Sequence, residues 1–286
     1  MKSITWLLSS STLALALLAS CDTAKPVTDA AATPDTSGSP AGAQADPSLA
    51  NGGMGTMERN GLRLTPFDNS PKFPTAGLRL RNPVAGASQP SGEVPFDYEI
   101  SNFQLTKMTG GARMEEMANS MQGQHIHNIV DNEPYTAHYD TKFTKPMADG
   151  SHAVLSFLSR SYHESLKHQG AYDLRIVNVG QAAAAPPIDV TKPMMFYSRP
   201  KGEYKGADTK KIMLDFYLVN TTIEPGGNQV RATINGTEFM LDRWLPYQME
   251  GLPAGDNTIK LELLDAAGNL MPGAYNSVTR HITVTP

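Results

Sequence analysis

The chain has 286 residues, with 24 Lys and Arg against 28 Asp and Glu, so its formal net charge is −4. An acidic balance of this kind lacks the basic field that nucleic-acid binding requires, so no nucleic-acid partner is expected. The length is sufficient for two domains of ordinary size, each with its own core.

The N-terminal stretch "MKSITWLLSSSTLALALLASC" has the layout of a secretory signal: Lys2, an apolar run to Leu18, and small residues before the only cysteine. Residues 18–21, "LASC", resemble the lipobox of bacterial lipoproteins. The resemblance implies cleavage after residue 20 and a lipid anchor on Cys21, with the membrane as a partner. An ordinary signal peptide with an accidental cysteine is the alternative. Asp22 favours the periplasmic face of the inner membrane in some lineages, and the outer membrane stays open.

Residues 21–60 are rich in Ala, Thr, Pro, Ser, Gly and Asp and contain few large apolar residues. Such a segment cannot bury enough apolar surface to offset its chain entropy, which predicts a flexible tether. We therefore predict a signal peptide over 1–20, the tether over 21–60, a first domain over 61–180, a linker over 181–187 and a second domain over 188–286.

The two predicted domains are copies of one pattern. The matched segments are "EVPFDYEISN" with "KIMLDFYLVN", "HIHNIVDNEPY" with "QVRATINGTEF", and "MADGSHAVLSFL" with "LPAGDNTIKLEL". Each copy consists of short alternating segments between Gly, Pro, Asn and Asp turns, as in Ile259, Leu261 and Leu263, which alternate with Lys260 and Glu262. This predicts an all-β protein of two tandem Ig-like antiparallel β-sandwiches, with "HITV" at 281–284 as a terminal strand. A cupredoxin-like sandwich is the alternative.

The segments "MMFYSRPKGEYKG", "GQHIHNIVDN" and "LSRSYHESLKH" resemble a group of largely uncharacterised envelope lipoproteins. Some members of that group are labelled phosphopeptide-binding. The resemblance covers both domains and implies a protein or peptide partner, but it fixes no chemistry.

Six of the seven histidines lie between His125 and His168, and two of them stand at i and i+2 in "QHIHNIVD". Their repeat counterparts place Ile126, Asn128 and Val130 on the inner face of a strand, so His125 and His127 should lie on the exposed face. Side chains at i and i+2 are roughly 6.6 Å apart on one face, so the two imidazoles can meet one copper or zinc ion. A polar strand face without a ligand is the alternative.

The first copy also carries an insertion, because 23 positions separate Asn102 from His125 while 9 separate Asn220 from Gln229. Loops inserted on a β-sandwich often carry binding residues. The insertion contains Met114, Met117 and Met121, whose spacing predicts one face of a short helix. Met117 and Met121 are therefore predicted as further ligands, since thioether sulfur favours Cu(I). The alternative is a methionine face that packs on the sheet.

The segment "SRSYHESLKH", Ser159–His168, concentrates polar and aromatic side chains in one connection. Arg160, Tyr162, His163 and Lys167 are predicted to bind an anionic group or a peptide, with the Arg160 guanidinium as a forked donor. A solvated hairpin tip is the alternative. His152, which follows a turn, is predicted to stabilise that turn.

No catalytic motif is present in the sequence. "HESLKH" is one residue longer than H-E-x-x-H and would place its histidines about 140° apart on a helix. There is no G-x-S-x-G elbow and no phosphate-binding glycine loop after a strand. The sequence therefore predicts a non-enzymatic binding or scaffold module with its site in the first domain. A copper- or zinc-binding protein and a phosphopeptide- or anion-binding protein are the alternatives.

Overall fold

The computed structural model describes residues 55–181 and 188–286. Cys21, the predicted signal peptide and most of the predicted tether and linker lie outside these ranges, so the lipid anchor stays a prediction. Within the described ranges no helix is long and apolar enough to cross a bilayer.

The first sandwich consists of a three-stranded and a five-stranded sheet. The three-stranded sheet has the order β3 (Gly77–Asn82), β5 (Gly92–Ser101), β8 (Lys142–Met147). The five-stranded sheet has the order β4 (Ser88–Gln89), β10 (Tyr172–Val179), β9 (Gly150–Ser159), β6 (His125–Val130), β7 (Thr136–His138).

The second sandwich repeats this topology strand for strand. One sheet contains β11 (Met194–Arg199), β13 (Ile212–Val219) and β16 (Tyr247–Glu250) in that order, and the other has the order β12 (Gly202–Lys205), β18 (Ser277–Thr285), β17 (Gly255–Leu264), β14 (Gln229–Ile234), β15 (Thr237–Leu241). In both copies a short strand pairs in parallel with the last strand, while the other pairs are antiparallel. This is the Ig-like arrangement, so the predicted fold class is confirmed and the cupredoxin alternative is not needed.

The repeat is also visible at matching turns. Asp131 and Asn235 both have positive φ angles, 51° and 47°, in the turn after the central strand. Each side-chain oxygen accepts the backbone N–H of the strand opposite, that of Ala153 and that of Thr258 respectively, at 2.9 Å in both cases. His152 donates from Nδ1 to Asp131 at 2.6 Å, as expected for a residue that stabilises this turn.

An N-terminal hairpin, β1 (Met57–Arg59) and β2 (Leu62–Pro66), belongs to the second sandwich. β2 pairs with β16 and extends its sheet to the order β1-β2-β16-β13-β11. Leu62 and Leu64 are buried in the core of the second sandwich. The sequence placed residues 57–60 in the tether and 61–66 in the first domain. The structure differs because the edge of β16 offers backbone partners and an apolar face to these strands.

Three apolar layers follow one another through the molecule. The first sandwich has its own core, which includes Ile126, Val154 and Leu158. The second has a larger one. Between them lies a third layer, in which residues of β6, β9 and β10 pack against β11 and β13: Ile129, Tyr135, Ala153, Leu155, Phe157, Met194, Phe196, Tyr217, Val219 and Tyr275. The sheet that carries the histidine pair is therefore covered on both faces.

The alternation predicted for Ile259, Leu261 and Leu263 is confirmed, because all three are fully buried. Glu262, predicted to be exposed, is also buried and accepts from Arg231 at 2.8 Å. Strand β18 contains the predicted terminal strand.

Candidate metal centre between the two sandwiches

The two histidines of β6 face the layer between the sandwiches. Their backbone pairs with β9, where His125 lies opposite Ser159 and His127 opposite Phe157. Both side chains are fully buried. The predicted face of the strand, opposite to Ile126, is confirmed, but the predicted exposure of the two histidines is wrong. The second sandwich packs on that face and removes it from water.

A third histidine joins the pair from the connection between β9 and β10. His163 has φ +68° and donates its backbone N–H to the carbonyl of Arg160 at 2.9 Å, in a tight turn. Its Nδ1 lies 3.0 Å from Nε2 of His125, and that Nε2 lies 2.8 Å from Nε2 of His127. The three coordinating nitrogens all fall within 4.8 Å of one another.

The ring proton of His125 is fixed by the backbone. Its Nδ1 lies 2.7 Å from the carbonyl oxygen of Gly123, which can only accept, so Nδ1 carries the proton and Nε2 presents a lone pair. Gly123 has φ +84°, and a Cβ there would lie 2.6 Å from the carbonyl oxygen of Thr106. This glycine therefore lets the chain turn where its carbonyl orients the ring.

The hydrogen bonds within the histidine cluster are incomplete. The single lone pair on Nε2 of His125 faces two nitrogens, and it can accept only one full hydrogen bond from them. Nδ1 of His127 is buried and has no hydrogen-bond partner. A cation placed among the three rings would be bound by all three lone pairs at once. Tetrahedral Zn–N bonds of roughly 2.0–2.1 Å imply N···N separations of about 3.3 Å. The two separations from Nε2 of His125, 2.8 Å and 3.0 Å, are close to this value.

Burial and positive neighbours keep these histidines neutral. Burial lowers the pKa of His125 to about 4, with Arg199 and Lys201 acting in the same direction. Burial also places the pKa of His127 well below its usual value, reinforced by the two neighbouring histidines. The pKa of His163 is well below its usual value for the same reason, helped by Arg199. At neutral pH the cluster presents unprotonated imidazoles, the form that binds metals.

The methionines do not take the places predicted for them. Helix α1 spans only Arg113–Glu116, and the chain is extended at Met117. Asn119 ends the turn by donating to the carbonyls of Met114 and Met117. Met117 packs with Phe67, Tyr162 and Met213, while Met121 is 92% exposed. The insertion instead borders the site through backbone contacts such as Ser120 N–H to the carbonyl of Ser161 at 2.8 Å.

The four residues predicted to bind a ligand in the segment Ser159–His168 lie in different parts of the structure. Arg160 is buried, and it donates to Glu164 at 2.9 Å and to the carbonyl of Pro71 at 2.6 Å. Lys167 forms an ion pair with the buried Asp215. Both line a cavity of about 380 Å³ near Trp244. The guanidinium predicted to contact an anion is thus already bound by the protein's own groups.

The other two members of that loop lie elsewhere. Tyr162 is buried beside Met117 in a small apolar cluster, and His163 belongs to the histidine cluster. The connection is therefore packed between the insertion and the second sandwich, and the solvated-tip alternative also fails. His163, predicted to act with Arg160, Tyr162 and Lys167, instead lies with His125 and His127.

Three residues around the cluster were not among the predicted site residues. Tyr135 stacks on His127 with ring centroids 3.6 Å apart. Lys201 lies 3.8 Å from the centroid of Tyr135 and donates to its carbonyl at 2.7 Å. Arg199 lies 5.7 Å from the same ring. For His163 the strand order offers a signal, since in an Ig-like sheet the β9–β10 connection lies at the end of β6. Arg199 and Lys201 come from the charged segment "SRPKGEYKG" of the other sandwich, which the sequence allows to contact a ligand or the first domain but which also fits a solvated loop.

No protein-family model matches this sequence, and no curated protein was found to be similar to it. Among solved structures the chain is similar to the fibronectin(III)-like modules of Clostridium thermocellum CbhA, at 13% identity, 73% coverage of this chain, 94% of that chain and a TM-score of 0.25. It is also similar to the FN1–FN3 domains of chicken CNTN1, at 13% identity, 71% and 66% coverage and a TM-score of 0.22. A third match is SGBP-B of the Bacteroides ovatus mixed-linkage glucan utilization locus, at 11% identity, 72% and 47% coverage and a TM-score of 0.21.

At these identities and TM-scores the neighbours carry no argument about ligand or activity. The chain also spans about half the length of the SGBP-B structure. The fold assignment rests on the strand order of the two sandwiches.

Proposed function

We propose that the protein is a binding module that holds one copper or zinc ion among His125, His127 and His163. The observation that carries the proposal is the convergence of three ring nitrogens, from two fully buried histidines and the half-buried His163, two of which lie 2.8 Å and 3.0 Å from the third. Imidazole is the protein ligand common to copper and zinc. The site belongs to the first domain, and the second domain covers it.

Binding fits this site better than catalysis. His125 and His127 are fully buried in a layer between two packed sheets and His163 is half-buried, and the cluster contains no described carboxylate that would act as a general base. Closed structural zinc sites have four protein ligands, whereas a site with three keeps a fourth position open. The preference for binding therefore rests on the burial of the two strand histidines and on the lack of a described general base in the cluster, and not on the number of ligands.

The test is metal titration of the full chain after removal of bound metal with a chelator. Cu(I), Cu(II) and Zn(II) are each titrated in competition with a chromophoric chelator. We expect one ion per chain, bound with a Kd tighter than micromolar. His127→Ala and His163→Gln should each weaken binding at least about 10-fold.

The matched control is His281→Ala, because His281 is exposed and lies on β18, outside the cluster. It should leave the affinity unchanged. Circular dichroism of each variant separates loss of ligand from loss of fold. A wild-type affinity weaker than micromolar, or equal affinities in wild type and folded His127→Ala, would exclude the histidine site.

A further inference from the structure

Two arginines of the second sandwich lie at one end of its core. Arg199 is the last residue of β11. Three positions later Gly202 begins β12 and lies beside Ile282 of β18 in a parallel pair. Arg280 lies two positions before Ile282, on the same face of β18, and its guanidinium is 5.5 Å from the ring of Tyr197 in the core. The register therefore brings both arginines to the same end of the sandwich.

Neither guanidinium has a carboxylate partner among the residues that the structure describes. Arg199 is only 8% exposed, and it donates from Nη1 to the hydroxyl of Tyr204 at 2.8 Å. Arg280 is half-buried and donates to the backbone carbonyls of Thr279 and Asn132. These acceptors are uncharged. Burial of a positive charge is costly unless an opposite charge compensates it.

The acidic residues closest along the chain have other partners or face solvent. Asp131 precedes Asn132, but its oxygens accept from His152, from the backbone N–H of Ala153 and from the hydroxyl of Tyr275. Glu133 is exposed. Glu203 of β12 pairs with Lys205 at 2.9 Å. The two guanidiniums therefore lack a compensating charge from these carboxylates.

Three polar atoms at this end of the core have no hydrogen-bond partner. They are Nε of Arg199, Nε of Arg280 and the hydroxyl oxygen of Tyr197, and all three are buried. Burial holds the pKa of Tyr197 well above its usual value, although both guanidiniums lie close enough to oppose the rise, so the hydroxyl stays protonated and can donate. Buried polar groups are nearly always paired. Three unpaired donors near two positive charges indicate an anionic acceptor.

We propose that a small oxyanion, inorganic phosphate or sulfate, binds between Arg199 and Arg280, with the hydroxyl of Tyr197 as a further donor. A guanidinium presents its N–H groups as a fork that matches two oxygens of an oxyanion, and a chloride ion offers no such pair. Because Arg199 is almost fully buried, a free ion can reach it more easily than a phosphate group on a peptide or a lipid. The site is independent of the proposed metal centre.

Isothermal titration calorimetry of the chelator-treated full chain with phosphate, in a chloride buffer, tests the proposal. We expect one phosphate per chain, displaced by sulfate and not by an equal concentration of added chloride. Arg280→Gln should weaken phosphate binding at least about 10-fold, because it removes a charged donor. Arg280→Lys, which keeps the charge but loses the fork, should bind more weakly than the wild type. It serves as the test if circular dichroism shows that Arg280→Gln does not fold.

Arg81→Gln is the matched control. Arg81 carries the same charge, but it is exposed and forms an ion pair with Glu99 in the first sandwich. This variant should bind phosphate as the wild type does. Binding that falls equally in Arg81→Gln and Arg280→Gln would reflect net charge and would overturn the assigned site.

Two further results would also overturn the oxyanion site. One is the absence of saturable binding of phosphate and sulfate by the wild type up to about 10 mM. The other is an unchanged phosphate affinity in the folded Arg280 variants. His127→Ala should keep phosphate binding while it loses the metal, so failure of the metal site and failure of the oxyanion site are distinguishable.

Discussion

Three neutral histidines inside a folded chain make its stability depend on pH. In the unfolded chain each histidine takes up a proton near pH 6.5. In the folded chain burial lowers the pKa of His125 to about 4 and places the pKa values of His127 and His163 well below the usual value. Below pH 6.5 the unfolded state therefore binds more protons, and the free energy of unfolding falls as the pH falls.

The metal-free protein should lose stability as the pH decreases from 6.5 towards 4. Each of the three histidines contributes a slope of up to about 1.4 kcal/mol per pH unit in this window. Urea unfolding at a series of pH values, in the presence of a chelator, measures the slope. Replacement of His163 by Gln should make it shallower, while replacement of the exposed His281 should not. A wild-type stability that is constant from pH 7 to 4.5 would contradict the burial of the cluster.

Two of the three cluster histidines could be placed together from the sequence alone. The repeat placed His125 and His127 on one face and Ile126 on the other, because side chains alternate along a strand. It could not give their burial, since burial depends on which surface packs against the face. The Ig-like strand order brings the connection that carries His163, 36 positions further along, to the end of β6, but it does not give the path of that loop or the contact of the ring.

Among the elements, the turn after the central strand shows how the two copies diverged. Asp131 and Asn235 accept the same backbone N–H, but Asp131 also accepts from His152 and from the hydroxyl of Tyr275 in the second sandwich. The neighbouring Asn132 accepts from Tyr197 N–H at 2.8 Å. This turn therefore joins the first sandwich to the second.

Asp131→Ala should destabilise the protein by about 1–3 kcal/mol, because it leaves the backbone N–H of the buried Ala153 without a partner. Asp131→Asn should cost less, since the second copy shows that an asparagine oxygen can fill the same role. Asn235→Ala is the matched variant, and it should cost less than Asp131→Ala because Thr258 is only half-buried. Chemical denaturation measures all three. Equal losses in the two alanine variants would argue against the additional contacts of Asp131.

Strands were easier to predict than the insertion. Alternation gave β17 and β18, and turn residues gave their ends. The methionine spacing in the insertion also fits a helix, but the glycines before it and Asn119 after it allow only one turn. Helical spacing of a few side chains is weak evidence for a helix in a segment that is too short to form one.

In the whole molecule, the first strands of the chain belong to the second sandwich. β1 and β2 come first in sequence and complete a sheet of the second sandwich, with Leu62 and Leu64 in its core. The first sandwich packs on the same domain from another side through its histidine-bearing sheet. The two sandwiches are thus joined by packing and by the N-terminal hairpin, which precedes the first sandwich in sequence but pairs with the second.

Removal of the hairpin should therefore destabilise the second sandwich. A chain that begins at Phe67 should lose at least about 4 kcal/mol relative to one that begins at Gly55, because two buried leucines are worth roughly 2–5 kcal/mol each. Urea unfolding followed by tryptophan fluorescence reports on the second sandwich through Trp244. Identical unfolding midpoints for the two chains would show that the hairpin is dispensable.

The N-terminal hairpin can pair with the second sandwich only after that sandwich has been synthesised. β2 is made roughly 180 residues before β16, its hydrogen-bonding partner. At about 5–20 residues per second the ribosome needs on the order of 10–40 s to cover that distance. For this interval Leu62 and Leu64 have no core to enter, even after the first sandwich is complete. A nascent chain of this protein therefore presents an apolar strand to chaperones until its C-terminal domain has been made.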